Sequence, residues 1–89
     1  MTVRRRLIVH GRVHGVGFRV FVARAAQARG VAGWVRNRPD GTVEVVLEGQ
    51  PEPVDRVVEL CREGPRAADV TSVETTDEQP EGLRRFEVR

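Results

Sequence analysis

The sequence predicts an α+β fold in which two helices cover one face of a mainly antiparallel sheet. Three observations predict it. Alternating and helical hydrophobic periods follow one another in the order strand–helix–strand–strand–helix–strand, with a short extra strand at the C-terminal end. The two helical stretches are apolar on one side only, so each needs a sheet face to cover. At 89 residues the chain has the length of one domain, taken here as residues 1–89, and its core must be efficient at that size.

The elements justify themselves in turn. Residues 5–13 alternate, with Leu7, Val9 and Val13 on one face and Arg6, Ile8, His10 and Arg12 on the other. The preceding Arg4-Arg5-Arg6 reads as a solvated strand end. Gly11, Gly15 and Gly17 then punctuate a loop. From Phe18 to Arg29 the period becomes helical: Phe18, Phe21, Val22, Ala25 and Ala28 share a face, Arg24 and Gln27 point to solvent, and Gly30 suits a left-handed stop. Residues 31–38 form a second strand, with Val31, Gly33, Val35 and Asn37 on one face and Trp34 on the other. Pro39-Asp40-Gly41 is a turn with a mechanism, since Pro presets φ, Asp bonds nearby backbone and Gly supplies positive φ. Thr42–Glu48 completes the hairpin with Val43, Val45 and Leu47 inward. Prolines 51 and 53 open a second helix striped by Val54, Val57, Val58 and Cys61, which Gly64-Pro65 stops. Val70–Thr75 is a weaker strand, Pro80-Glu81-Gly82 a turn and Leu83–Val88 a final strand. With right-handed crossovers this order is the ferredoxin-like, split βαβ sandwich (βαββαβ), a fold that hosts many unrelated functions.

Composition excludes several function classes. No apolar run has the length of a membrane span, and Leu7-Ile8-Val9 is too short for the hydrophobic region of a signal peptide. With one cysteine, no disulfide forms within the chain, which suits a cytoplasmic setting. All 15 basic residues are Arg and none is Lys, which rules out Schiff-base chemistry and a lysine-dependent phosphate loop. The balance of these against 13 acidic residues gives a net charge of only +2, a weak basis for a nucleic-acid surface. His10 and His14 are four apart, but Gly11 breaks the helix that would bring them onto one metal, and no third ligand is evident. Neither metal nor cofactor is expected.

Two segments carry chemistry. Gly11-Arg12-Val13-His14-Gly15-Val16-Gly17-Phe18-Arg19 is a glycine-bearing loop between a strand and a helix. Such a loop can turn several N–H groups to one point, and the helix end adds its own. The guanidinium of Arg19, in the first turn, can bond two phosphoryl oxygens at once. The loop is no Walker motif, because Phe18-Arg19 stand where Lys and Ser/Thr belong, and no dinucleotide fingerprint, because Val20 replaces the third Gly. By spacing alone, a purely structural tight turn stands level with an anion site. The second segment, Gly33-Trp34-Val35-Arg36-Asn37-Arg38-Pro39-Asp40-Gly41-Thr42-Val43-Glu44, puts the Asn37 amide at a strand end that can lie beside the loop. An amide there can bind water or an oxyanion, or simply stabilise the turn that follows, and spacing alone favours the turn. Asp40 in a turn and Glu44 on an outer face are not paired for acid–base work. Cys61 reads as a small core residue, and Trp34 as cover for the open face of the sheet in preference to a platform for substrate.

These two segments resemble the acylphosphatase family's Gly-x-Val-Gln-Gly-Val-x-Phe-Arg and Gly-Trp-Val-x-Asn-x-x-Asp-Gly-x-Val-Glu patterns, in the right order, and Pro80–Val88 looks like that family's ending. His14 departs from the pattern, which often has Gln. The resemblance implies the ferredoxin-like fold and hydrolysis of acyl phosphates to a carboxylate and phosphate by a monomer, without metal or cofactor. Carried over, Arg19 binds the phosphoryl group, Asn37 positions the attacking water, and His14, Gly15, Val16, Gly17, Phe18 and Arg19 form the phosphate-binding loop. Two rivals are a non-catalytic module that binds phosphate or acyl phosphate and an RNA-binding domain of similar strand order. The latter stacks bases on sheet aromatics, whereas Phe18 and Phe21 fall on a helix here.

Overall fold

The computed structural model describes all residues from Met1 to Arg89. The elements are β1 (Val3–Arg12), α1 (Phe18–Ala28), β2 (Ala32–Asn37), β3 (Val43–Gly49), α2 (Pro51–Glu63), β4 (Asp69–Glu78) and β5 (Phe86–Val88). They build one sheet in the order β4-β1-β3-β2-β5. β1–β3, β1–β4 and β2–β3 are antiparallel, and β5 adds to β2 in parallel. This is the expected ferredoxin-like α+β arrangement with its extra strand. No helix is long and apolar enough to cross a membrane.

The core lies between the helices and one sheet face. Leu7 and Val9 of β1, Val35 of β2, and Val43, Val45 and Leu47 of β3 meet Phe18, Val22, Ala25 and Ala26 of α1 and Val54, Val57, Val58 and Cys61 of α2. Strand β3 is central, and both its faces are buried from Val43 to Glu48. Helix α1 turns slightly from its expected face: Ala23 and Ala26 are buried, Phe21 is half-buried and Ala28 is exposed. The helix stops one residue short of Arg29, in a Schellman motif. Val31 N–H donates to Ala26 O at 2.9 Å and Gly30 N–H to Gln27 O at 3.3 Å, with Gly30 at φ 67°.

Four expectations need correction. Strand β1 begins at Val3 and ends at Arg12, so Val13 is buried in the loop rather than in the strand. The register slips between His10 and Gly11, and Gly11 lies so close to β4 that a Cβ there would stand 2.0 Å from Asp69 O. Strand β4 runs from Asp69 to Glu78, longer than Val70–Thr75, because it follows β1 for nearly its full length and opposite charges meet across the pair, as at Arg5–Asp77 and Arg4–Glu78. Arg4 is not solvated: it is 5% exposed, between Glu48 at 2.7 Å and Glu78 at 2.8 Å.

The fourth correction is at the C-terminal strand, which forms only from Phe86. Residues 81–83 give their N–H groups to a buried carboxylate instead of to a strand. Glu48 Oε2 accepts from Glu81 N–H at 2.9 Å, and Oε1 accepts from Gly82 and Leu83 N–H at 3.1 Å each. Burial alone would raise the Glu48 carboxyl, but the Glu81 N–H, the Arg4 guanidinium and the N–H groups of Leu83 and Gly82 outweigh it and hold it below the usual Glu value. Glu48 thereby sets where β5 enters the sheet.

Candidate active site

The site forms where the β1–α1 loop meets the end of β2. Gly15 and Gly17 have φ 69° and 75°, and every non-glycine residue, Val16 between them included, has negative φ. This alternation is the geometry that turns successive N–H groups inward, and only glycine adopts its positive-φ positions without strain. No N–H from His14 to Val20 donates to any group of the chain. Residues 18–20 are the first turn of α1, where N–H groups have no intrahelical acceptor. No acidic side chain occupies that turn, so the positive end of the helix dipole is uncompensated.

One contact fixes this loop against the β2–β3 turn. His14 Nε2 lies 2.8 Å from Thr42 O; a carbonyl only accepts, so the ring carries its proton on Nε2. Thr42 O also accepts from Arg38 N–H at 2.9 Å, and Asp40 Oδ1 accepts from Thr42 N–H at 3.0 Å and Thr42 Oγ1 at 2.6 Å. The Thr42 hydroxyl and N–H hold the Asp40 carboxyl below the usual Asp value. The expected turn chemistry is therefore present, and His14 ties the glycine loop to it.

Arg19 and Asn37 come together. Both line a cavity of about 110 Å³ with Val13, Gly15, Gly17, Phe18 and Val20. Both also line a cavity of about 610 Å³ that continues over Arg6, Trp34, Arg36, Glu44 and Arg89. Asn37 borders both because it closes β2. Arg19 Nη1 donates to the main-chain oxygen of Arg89 at 3.0 Å, and its other nitrogens bond nothing in the chain. His14, Gly15, Val16, Gly17 and Phe18 complete the loop around Arg19.

Glu44 is 8% exposed on the open sheet face, accepting from Arg36 Nε at 2.6 Å and from Arg6 Nη1. Its charge is thus engaged, and it stands apart from Asp40. The guanidinium carbons of Arg89, Arg36 and Arg6 lie 4.7, 5.7 and 5.8 Å from the Trp34 ring centroid. Sequence reasoning preferred cover to a substrate platform for Trp34 and so missed its place in the larger cavity; alternation along β2 puts it opposite Asn37, and only the strand's end lets both border one space. His10 pairs with Glu74. No group of three or more His, Cys, Asp or Glu side chains is placed to hold a metal ion. Cys61 is buried, and desolvation pushes its thiol up to about 12.

A loop of free N–H groups, a helix N-terminus and an arginine fork around a small cavity define a ferredoxin-like domain suited to a phosphoryl group. The sequence matches the Acylphosphatase family over residues 5–88. Acylphosphatases from Thermococcus kodakarensis and Gloeobacter violaceus are each 54% identical over 86 residues, which is 97% of this chain and 94% and 92% of those proteins. The crystal structure of acylphosphatase from Bacillus subtilis superposes with a TM-score of 0.95 at 42% identity, covering 98% of both chains. The chain belongs to the acylphosphatase family, hydrolases of acyl phosphates.

Proposed function

We propose that residues 1–89 act as one domain that hydrolyses a carboxyl–phosphate mixed anhydride, with Arg19 binding the phosphoryl group and Asn37 positioning the water. The N–H groups of His14, Gly15, Val16, Gly17, Phe18 and Arg19 cradle the phosphoryl oxygens. What carries this reading is the small cavity that Arg19 and Asn37 share beneath a run of N–H groups with no acceptor in the chain.

The chemistry suits these residues. The water oxygen bonds to phosphorus as the phosphorus–acyl oxygen bond breaks, and the carboxylate leaves with the electron pair. Carboxylates are weak bases, with pKa near ~4, so the leaving group needs no acid. A loose transition state asks for positioning and charge stabilisation rather than for a strong base. No carboxylate lines the small cavity, and a phosphoryl oxygen of the substrate takes the water's proton. The protein works as a monomer in the cytoplasm on a small molecule, without cofactor, metal, nucleic acid or membrane. The lone buried thiol fits that compartment. Phe18 and Phe86 lie in the core, so Trp34 alone offers an aromatic platform on the open face, which disfavours base stacking.

The test is hydrolysis of benzoyl phosphate, followed by ultraviolet absorbance with EDTA present. Arg19→Gln and Asn37→Ala should each lower kcat/KM by about 10²–10³ while unfolding midpoints stay near wild type. The wild-type rate should be flat between about pH 5.5 and 8, since no protein group titrates in the reacting step. A folded wild type that turns nothing over, yet binds phosphate, would leave a non-catalytic anion-binding module as the reading.

A further inference from the structure

The cavity over Trp34 is several times larger than the one under the glycine loop, and it is lined by charge. With the phosphoryl group under the loop, as proposed above, the larger cavity is where the acyl half of the substrate projects. Four of its seven lining residues are arginines, and Glu44 is its one acidic side chain. Glu44 is already shared by Arg6 and Arg36. Arg6 is used up, since it also reaches Glu78 at 2.7 Å. Arg36 is not: Glu44 holds its Nε, while Nη1 and Nη2 bond nothing in the chain, and the side chain is 50% exposed. Arg89 is likewise half exposed; its only side-chain partner is Glu87 at 3.3 Å, an exposed pair that contributes little. Both guanidinium groups are steadied by the Trp34 ring, at 5.7 and 4.7 Å.

Cations already sit against the indole, so a neutral aromatic acyl group has to compete with them for it. An anionic group instead gains charge-assisted hydrogen bonds from donors that are free on Arg36 and only weakly engaged on Arg89. We infer that Arg36 and Arg89, steadied by Trp34, form a subsite for a second negative charge on the acyl group and so discriminate among acyl phosphates by the charge of the acyl moiety. This rests on the proposed orientation of the phosphoryl group. It adds two specificity-determining side chains that take no part in the bond-breaking step.

A matched pair of substrates tests it: benzoyl phosphate and 4-carboxybenzoyl phosphate, which differ by one carboxylate. The readout is the ratio of their kcat/KM values, compared among wild type, Arg36→Gln, Arg89→Gln and Arg62→Gln. Comparing ratios between variants cancels the intrinsic reactivity of each compound. Arg62 lies in the last turn of α2, so its variant removes the same charge outside the cavity. The ratio in favour of the carboxylated compound should fall about tenfold in Arg36→Gln and in Arg89→Gln, through KM, and stay at the wild-type value in Arg62→Gln. An equal fall in all three variants would reduce the effect to net charge and overturn the subsite. Turnover of both compounds with an unchanged ratio in Arg36→Gln and Arg89→Gln would also overturn it, leaving the hydrolase reading intact. No turnover of either compound by the folded wild type would overturn both.

Discussion

Replacing Glu48 by glutamine should cost about 3 kcal/mol of folding stability. Glu48 is 2% exposed and meets a 5%-exposed Arg4, so the substitution leaves a buried guanidinium short of its main counter-charge. Removing one partner of a buried pair costs ~3–5 kcal/mol. Glu78, 29% exposed, still reaches Arg4 Nε at 2.8 Å, which puts the loss at the lower end. The amide adds a second fault, because its NH₂ would point toward the Arg4 or main-chain N–H donors that the carboxylate now serves. A loss of about 3 kcal/mol is roughly a hundredfold in the folding equilibrium and about 12–24 °C in Tm at this chain length. The assay is urea unfolding by circular dichroism. The double variant Arg4→Met/Glu48→Leu, which removes both charges, should recover part of the loss. pH gives an independent check. The Glu48 carboxyl is held below the ordinary Glu value, and Arg6 and Arg4 hold that of Glu78 at about 2. Groups depressed by folding stabilise above their unfolded pKa of ~4.3, and that stability is lost as pH falls through the folded values. Wild type should therefore lose stability from about pH 5 down to 2, and Glu48→Gln should fall less steeply. A loss under ~1 kcal/mol, or parallel acid limbs, would refute the reasoning.

Other consequences can be checked in parallel. His14→Gln, which keeps a donor for Thr42 O, should retain kcat/KM within a few-fold, whereas His14→Ala should raise the KM for benzoyl phosphate; equal kinetics in the two variants would remove His14 from loop positioning. Gly17→Ala has room for its Cβ but must hold φ near 75°, so it should cost about 1 kcal/mol in unfolding experiments and weaken phosphate inhibition. Cys61 is the only side chain in a chain without Lys or Tyr that ordinarily titrates near pH 9. Folding raises its value to about 12, so its stabilisation is complete below pH ~8.5 and is lost above it, approaching about 1.4 kcal/mol per pH unit; Cys61→Ala should flatten this alkaline limb in urea unfolding.

The helix-facing half of the fold was legible because apolar periodicity reports it: Leu7, Val9, Val43, Val45 and Leu47, with the stripes of both helices, lie as their spacing implies. The open face was not, because its cover is charge. Arg4, Arg6, Glu44 and Glu48 read as solvated on any hydropathy pattern, and only their pairing across β1, β3 and β4 buries or half-buries them. The same blindness shortened β4 and lengthened the last strand, since nothing local marks residues 81–83 as ligands of a carboxylate over thirty positions away. At the site, spacing alone left the Arg19 loop level with a structural turn and favoured the turn for Asn37, and the two motifs together raised both. That they border one cavity is a property of the crossover joining β1 to β2 through α1, not of either motif.

The central claim is attack of a positioned water on phosphorus. Hydrolysis of benzoyl phosphate by the wild-type protein in ¹⁸O-labelled water, with mass spectrometry of both products, tests it most directly. The account predicts one labelled oxygen in phosphate and none in benzoate. Label in benzoate would mean attack at the acyl carbon and would contradict the roles given to Arg19, Asn37 and the glycine loop.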